Sequence, residues 1–118
     1  MGKNIVKNKS FNFAVRIVNL SKYLTEQKRE YVLSKQILRS GTAIGALIRE
    51  SEQAESKADF IHKLAIALKE ANETDYWLDL LHKTGYLEEK HHQGLKADLT
   101  ELLKLLTSII KTSKANNG

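Results

Sequence analysis

Three carboxylate–histidine pairs with two residues between them, Asp59/His62, Asp79/His82 and Glu88/His91, come nearest to a metal-binding pattern in this chain. Di-metal sites in helical bundles need two Glu-x-x-His pairs on different helices, with further glutamates from the other two. Asp59/His62 and Asp79/His82 share one helical pattern, twenty residues apart. That is about 30 Å along a helix and about 200° around it, so the two pairs cannot share an ion. Glu88/His91 opens another helix, where a solvated acid is commonplace. No metal site is expected.

Two further acid pairs, Glu52/Glu55 and Glu70/Glu73, imitate the carboxylates that hold magnesium in some helical pyrophosphohydrolases. Glu52 and Glu55 fall at a turn, and Glu70 lies about 20 Å further down the next helix, too far for one magnesium cluster. Pairing of Glu70 and Glu73 with basic side chains or a neighbouring subunit is the plainer reading. The chain has no cysteine, and no serine or histidine stands in a nucleophile-elbow or triad context. The Gly-Thr-Ala-Ile-Gly run at 41–45 lacks the lysine of a phosphate-binding loop. His91 and His92 read as exposed. We therefore expect no catalytic residues, no cofactor and no enzymatic activity.

The elements that carry these residues are helical. The chain has 118 residues, no proline and no sustained strand alternation, which favours one domain of long helices. Segment one, about 10–27, places Phe13, Ile17, Leu20 and Leu24 on one face. Segment two, about 29–53, does so with Leu33, Ile37, Gly41, Ile44 and Ile48. In segment three, Ser56 caps a run of Phe60, Leu64, Ala67, Ala71, Thr74, Leu78 and Leu81, with Asp59 as capping-box partner. Gly85 ends it. Segment four, about 88–111, carries Leu95, Leu99, Leu102, Leu106 and Ile109. Short connections predict an all-α, antiparallel up-down-up-down four-helix bundle spanning residues 1–118, with flexible ends at about 1–9 and 113–118.

Three features go beyond the fold. Gly41 and Gly45 lie inside segment two, where each costs about 1 kcal/mol relative to alanine. With Ser40, Ala43 and Ala46 they make a slim waist that lets another backbone approach; a bend in the helix is the alternative. Ile66, Trp77 and Leu80 lie roughly opposite the core stripe of segment three and suit an oligomer interface. Wide wrapping of that helix by its neighbours is the plain alternative.

Charge is the third feature. The net charge is +5; residues 1–25 hold Lys3, Lys7, Lys9, Arg16 and Lys22 and no acid. Lys35 and Arg39 stand one turn apart on segment two, with Lys28, Arg29 and Arg49 near them. Together they are a candidate nucleic-acid surface acting through phosphates. No apolar run is long enough for a membrane span or a signal peptide, so a cytoplasmic protein with no membrane partner is expected.

The stretches QILRSGTAIGALIRE and DFIHKLAIALKEANETDYWLDLLHKTGYL also carry a family pattern. Leu38, Arg39, Ser40, Ile44, Gly45, Ala46, Glu50, Asp59, Phe60, Ala67, Glu70, Glu73, Trp77, Leu78, Gly85 and Tyr86 fit it. The chain resembles the bacterial 23S rRNA intervening-sequence proteins, closely over about 33–86 and by pattern in the outer helices. It departs from them at Leu47, where asparagine is usual, and at Ser51, where glycine is usual. The resemblance implies an antiparallel four-helix bundle, a ring-like homopentamer and no established enzymatic activity. A similar pentameric bundle acts as an accessory factor in diversity-generating retroelements, where it contacts nucleic acid and a reverse transcriptase. The expected function is an oligomeric, non-enzymatic bundle that binds RNA or DNA. The alternative is a scaffold whose apolar outer face docks another protein.

Overall fold

A computed structural model describes residues 2–116 and contains four helices: α1 Gly2–Glu26, α2 Leu33–Ser51, α3 Lys57–Lys83 and α4 Glu89–Ala115. Among the described residues there is no strand. Each helix packs against its two neighbours around a square and not against the helix diagonal to it. The bundle is 51 Å long and 22 × 19 Å across. The stripes meet in one core, with Phe13, Ile17, Leu24, Ile37, Ile44, Leu64, Leu78, Leu99 and Leu106 all fully buried.

Each connection has a local cause. Arg29 takes the left-handed backbone conformation, φ 52°, and the Glu30 N–H donates to the Leu24 carbonyl at 2.9 Å. The Glu30 carboxylate then accepts from the N–H groups of Val32, Leu33 and Ser34 at 3.3, 3.0 and 2.8 Å. It satisfies the orphan donors at the start of α2 and answers the positive end of its dipole. Hence α2 begins at Leu33 and not near Arg29. Glu30→Ala is expected to cost about 1 kcal/mol, measured as a shift of the urea midpoint with the slope unchanged.

Ser56 caps α3 as expected, its Oγ accepting from the Asp59 N–H at 3.0 Å. The Asp59 carboxylate reaches back to the Glu55 N–H at 3.2 Å, one residue before the partner of a standard capping box. At the other end Gly85 has φ 87°. The Tyr86 N–H donates to the Leu81 carbonyl at 3.0 Å and the Gly85 N–H to the His82 carbonyl at 3.2 Å, the two bonds of a Schellman motif.

Of the ends expected to be flexible, residues 2–9 are helical, with Val6 buried; residues 1, 117 and 118 lie outside the described residues. Val6 continues the Phe13–Ile17 stripe by two further turns, and the core it meets holds it. Residues 113–115 likewise continue α4.

Candidate functional site

Gly41 and Gly45 of α2 face α1. A Cβ on Gly41 would lie 2.9 Å from both Cγ1 and Cγ2 of Ile17, and one on Gly45 would lie 3.3 Å from the carbonyl oxygen of Ser10. Absent side chains thus let two backbones approach, and tight packing offsets the helix-propensity cost. Ser10, itself buried, donates its hydroxyl to the Lys7 carbonyl on its own helix at 3.0 Å, so its polarity costs the seam little. Across the bundle, Thr74 Oγ1 lies 2.9 Å from Ser40 Oγ and 2.8 Å from the Glu70 carbonyl, a buried polar link between α3 and α2.

The cations fall into two sets. Four of the sequence candidates are engaged within the bundle: Lys7 with Glu52 at 3.1 Å, Lys9 with Glu101 at 3.1 Å, Arg16 with Asp98, and Arg39 with Glu73 at 3.0 Å. Three of the pairs join two helices and the Lys7–Glu52 pair joins α1 to the C-cap of α2; all lie at the solvent boundary, where each contributes at most about 1 kcal/mol. Each also reduces the charge available to an outside anion. Lys22 and Lys35 have no such carboxylate among the described residues, and neither do Lys28 and Arg29. The Lys28 ammonium instead lies 5.9 Å from the ring centre of Tyr23. The side chain of Lys3 lies outside the described residues. Uncompensated charge therefore collects where α1 turns into α2, not along the whole face of α1.

The apolar surface is also distributed differently from the sequence expectation. Ile66, Trp77 and Leu80 are half-buried. Trp77 packs against the core, donates its Nε1–H to Glu73 at 3.0 Å and meets Tyr76 edge to face at 5.0 Å. It occupies the flank of α3 next to α2, where Glu73 also receives Arg39. The larger exposed apolar face belongs to α1: Phe11, Val15 and Val18 are 54%, 46% and 37% exposed. At 100° per residue they lie within about 60° of one another and opposite Phe13 and Ile17. The stripe is masked in the sequence because Asn12, Arg16 and the inward-facing Phe13 and Ile17 are interleaved with it. Beside Phe11, a groove of about 500 Å³ runs between α1 and α2, floored by Ala14, Gly45 and Ala46 and edged by Lys7 and Arg49.

A charged network joins α3 to α4. Lys96 bridges Asp75 at 2.6 Å and Asp79 at 3.0 Å. His92 Nε2 lies 2.9 Å from Asp79 and His82 Nε2 lies 2.8 Å from Glu89. The two imidazoles stack in parallel, centroids 4.1 Å apart. His92 is consequently not exposed as expected; the stack and its carboxylate cover it. Among the described residues no group of three or more potential ligands could hold a metal ion.

Burial pushes Asp79 up, but hydrogen bonds and charge from His92 and Lys96 outweigh it and hold the carboxyl below its ordinary value. Burial pushes Lys96 down, and Asp75 and Asp79 outweigh that, so it is raised. Asp79 therefore contributes fully above the ordinary aspartate value of about 4 and loses its contribution as pH falls through the lowered folded value. Lys96 contributes fully below about pH 10.4 and loses its contribution as pH rises through the raised folded value. Asp79→Asn is expected to flatten part of the acid limb of stability below about pH 4, read from urea titrations at each pH.

Four antiparallel helices with small residues at one seam and cross-helix ion pairs around the rim define a four-helix-bundle protein. The chain belongs to the 23S rRNA-intervening sequence protein family, which it matches over residues 2–108. It is similar, at 62% identity and a TM-score of 0.93, to a crystallised protein of unknown function from the S23 ribosomal protein family of Bacteroides thetaiotaomicron. The match covers 94% of this chain and 99% of that one. No curated protein matches the chain. No helix among the described residues is long and apolar enough to cross a membrane.

Proposed function

We propose that this protein is a non-enzymatic, self-associating bundle of the cytoplasm that binds RNA or DNA through phosphate contacts. The observation that carries the reading is the cluster of Lys22, Lys28, Arg29 and Lys35 at one end of the bundle, without carboxylate partners of their own. Two acids lie in the same stretch: Glu30 is engaged as the cap of α2, and the exposed Glu26 offsets one of the four positive charges. Cations without internal partners are the ones free to replace the counterions of a polyanion. Assembly multiplies the effect: a homopentamer, as the family resemblance implies, carries five times the +5 of one chain and a correspondingly stronger field.

The test is fluorescence anisotropy with labelled RNA and DNA across a salt series. Affinity is expected to fall steeply with salt, and Lys22→Ala with Lys35→Ala to reduce the log–log slope by about 1–2. A salt-independent interaction would overturn the reading. Light scattering at low and high salt gives the assembly state; a monomer removes the multiplication of charge.

A second reading, a protein-docking scaffold, is favoured by the exposed Phe11–Val15–Val18 face together with half-buried Ile66, Trp77 and Leu80. Trp77→Ala is expected to weaken assembly or partner capture on that reading. If both persist in the variant, the α3 face is not the docking surface.

A further inference from the structure

The seam between α1 and α4 opens into a cleft of about 380 Å³ lined in part by Tyr23, over whose ring the Lys28 ammonium lies. Its floor is apolar, made by the buried side chains of Leu20, Leu87 and Leu95. Its rim carries hydrogen-bonding groups: the Asn19 amide, the Tyr23 hydroxyl, the His91 imidazole and the Glu88 carboxylate. Arg16 forms one wall, fixed by Asp98 and by donation to the Gly94 carbonyl at 3.4 Å. Gly94 leaves room for it, since a Cβ there would lie 3.2 Å from the guanidinium.

We infer that this cleft receives an unpaired base of a single-stranded nucleic acid, with the adjoining phosphates on Lys28 and Lys22. The inference rests on the phosphate-binding reading above and adds to it where the base goes. A flat ring covers the leucine floor. Its edge meets an amide that both donates and accepts, together with a hydroxyl and an imidazole. Glu88 accepts from an exocyclic amine and repels phosphate, so the base enters and the backbone stays outside. The Lys28 ammonium lies 5.9 Å from the ring centre of Tyr23, a residue that lines the cleft. In a duplex the bases are stacked and paired, and only a single strand can present one unstacked.

The experiment is anisotropy with a labelled 20-nucleotide single strand and with the duplex of the same sequence, at one fixed low salt, as RNA and as DNA. The readout is the ratio of the two affinities. The native protein is expected to prefer the single strand by about tenfold, the scale of burying one base face against apolar side chains. Asn19→Ala combined with His91→Ala, both exposed positions, is expected to remove most of that preference; thermal melting verifies that the variant folds. A strand containing 2-aminopurine is expected to change its fluorescence on binding native protein and to lose that change with Tyr23→Ala. Equal affinity for strand and duplex, unmoved by the double variant, overturns the base-in-cleft inference and leaves the phosphate reading standing. No binding of either probe overturns both. Free mononucleotides that bind as tightly as the strand overturn the strand as occupant.

Discussion

Gly41→Leu is expected to destabilise the bundle by about 3 kcal/mol, the upper part of the range for overpacking. The first added carbon already lies 2.9 Å from two atoms of Ile17. Ile17 is fully buried and β-branched, so it has no alternative rotamer into which to withdraw. Leucine gains close to 1 kcal/mol of helix propensity over glycine, but its remaining atoms must push α1 away from α2. For a domain of this size the loss corresponds to a fall of about 10 °C in melting temperature. Ile17→Ala in the same chain opens space beside position 41 and is expected to recover part of the loss, giving a favourable coupling in a double-mutant cycle. Unchanged melting and unchanged mass in Gly41→Leu would refute the close-packing role. Gly45 is the milder case, because its Cβ would meet the Ser10 carbonyl at 3.3 Å, a contact that a few tenths of an ångström relieve.

Phe13→Ala is expected to cost about 3–5 kcal/mol, through lost transfer energy and the cavity left behind. Phe13 is 1% exposed and Phe11, two positions earlier, is 54% exposed. The two rings therefore report different things. Phe11→Ala is expected to change chain stability by less than about 0.5 kcal/mol, yet to lower the mass in solution if the outer face of α1 joins subunits. Chemical denaturation and light scattering on both variants separate the effects. Equal destabilisation by the two substitutions would contradict the assignment of faces.

Much of this architecture was readable before any coordinates. The 3–4 spacing of large apolar residues fixed which face of each helix turns inward, because that spacing is the helix's own geometry. Ser56 and Gly85 marked the ends of α3 for equally local reasons: a hydroxyl that caps free N–H groups, and a residue that tolerates positive φ. The extension of α1 to Gly2 was harder to read. Ile5 and Val6 stand side by side among lysines and asparagines, and only the core that Val6 meets shows which of the two belongs to the stripe. Glu30 likewise reads as ordinary until the turn folds its carboxylate over the first N–H groups of α2.

The candidate site was less legible than the fold. Seven cations were conspicuous by type, but a cation's value to a polyanion depends on whether a carboxylate already meets it. Lys7, Lys9, Arg16 and Arg39 find partners 34 to 92 positions away in the chain, distances at which local pattern carries no information. The same holds for the cleft beneath Tyr23, whose floor combines Leu20 with Leu87 and Leu95. Sequence by itself determined the helices, their inward faces and the resemblance to the family, because these follow from periodicity and residue type along one strand of chain. Tertiary structure alone decided which charges stay unpaired, which helix shows an apolar back, and where α1 and α4 leave a cleft. Those properties arise between helices, from the way separate stripes meet in space.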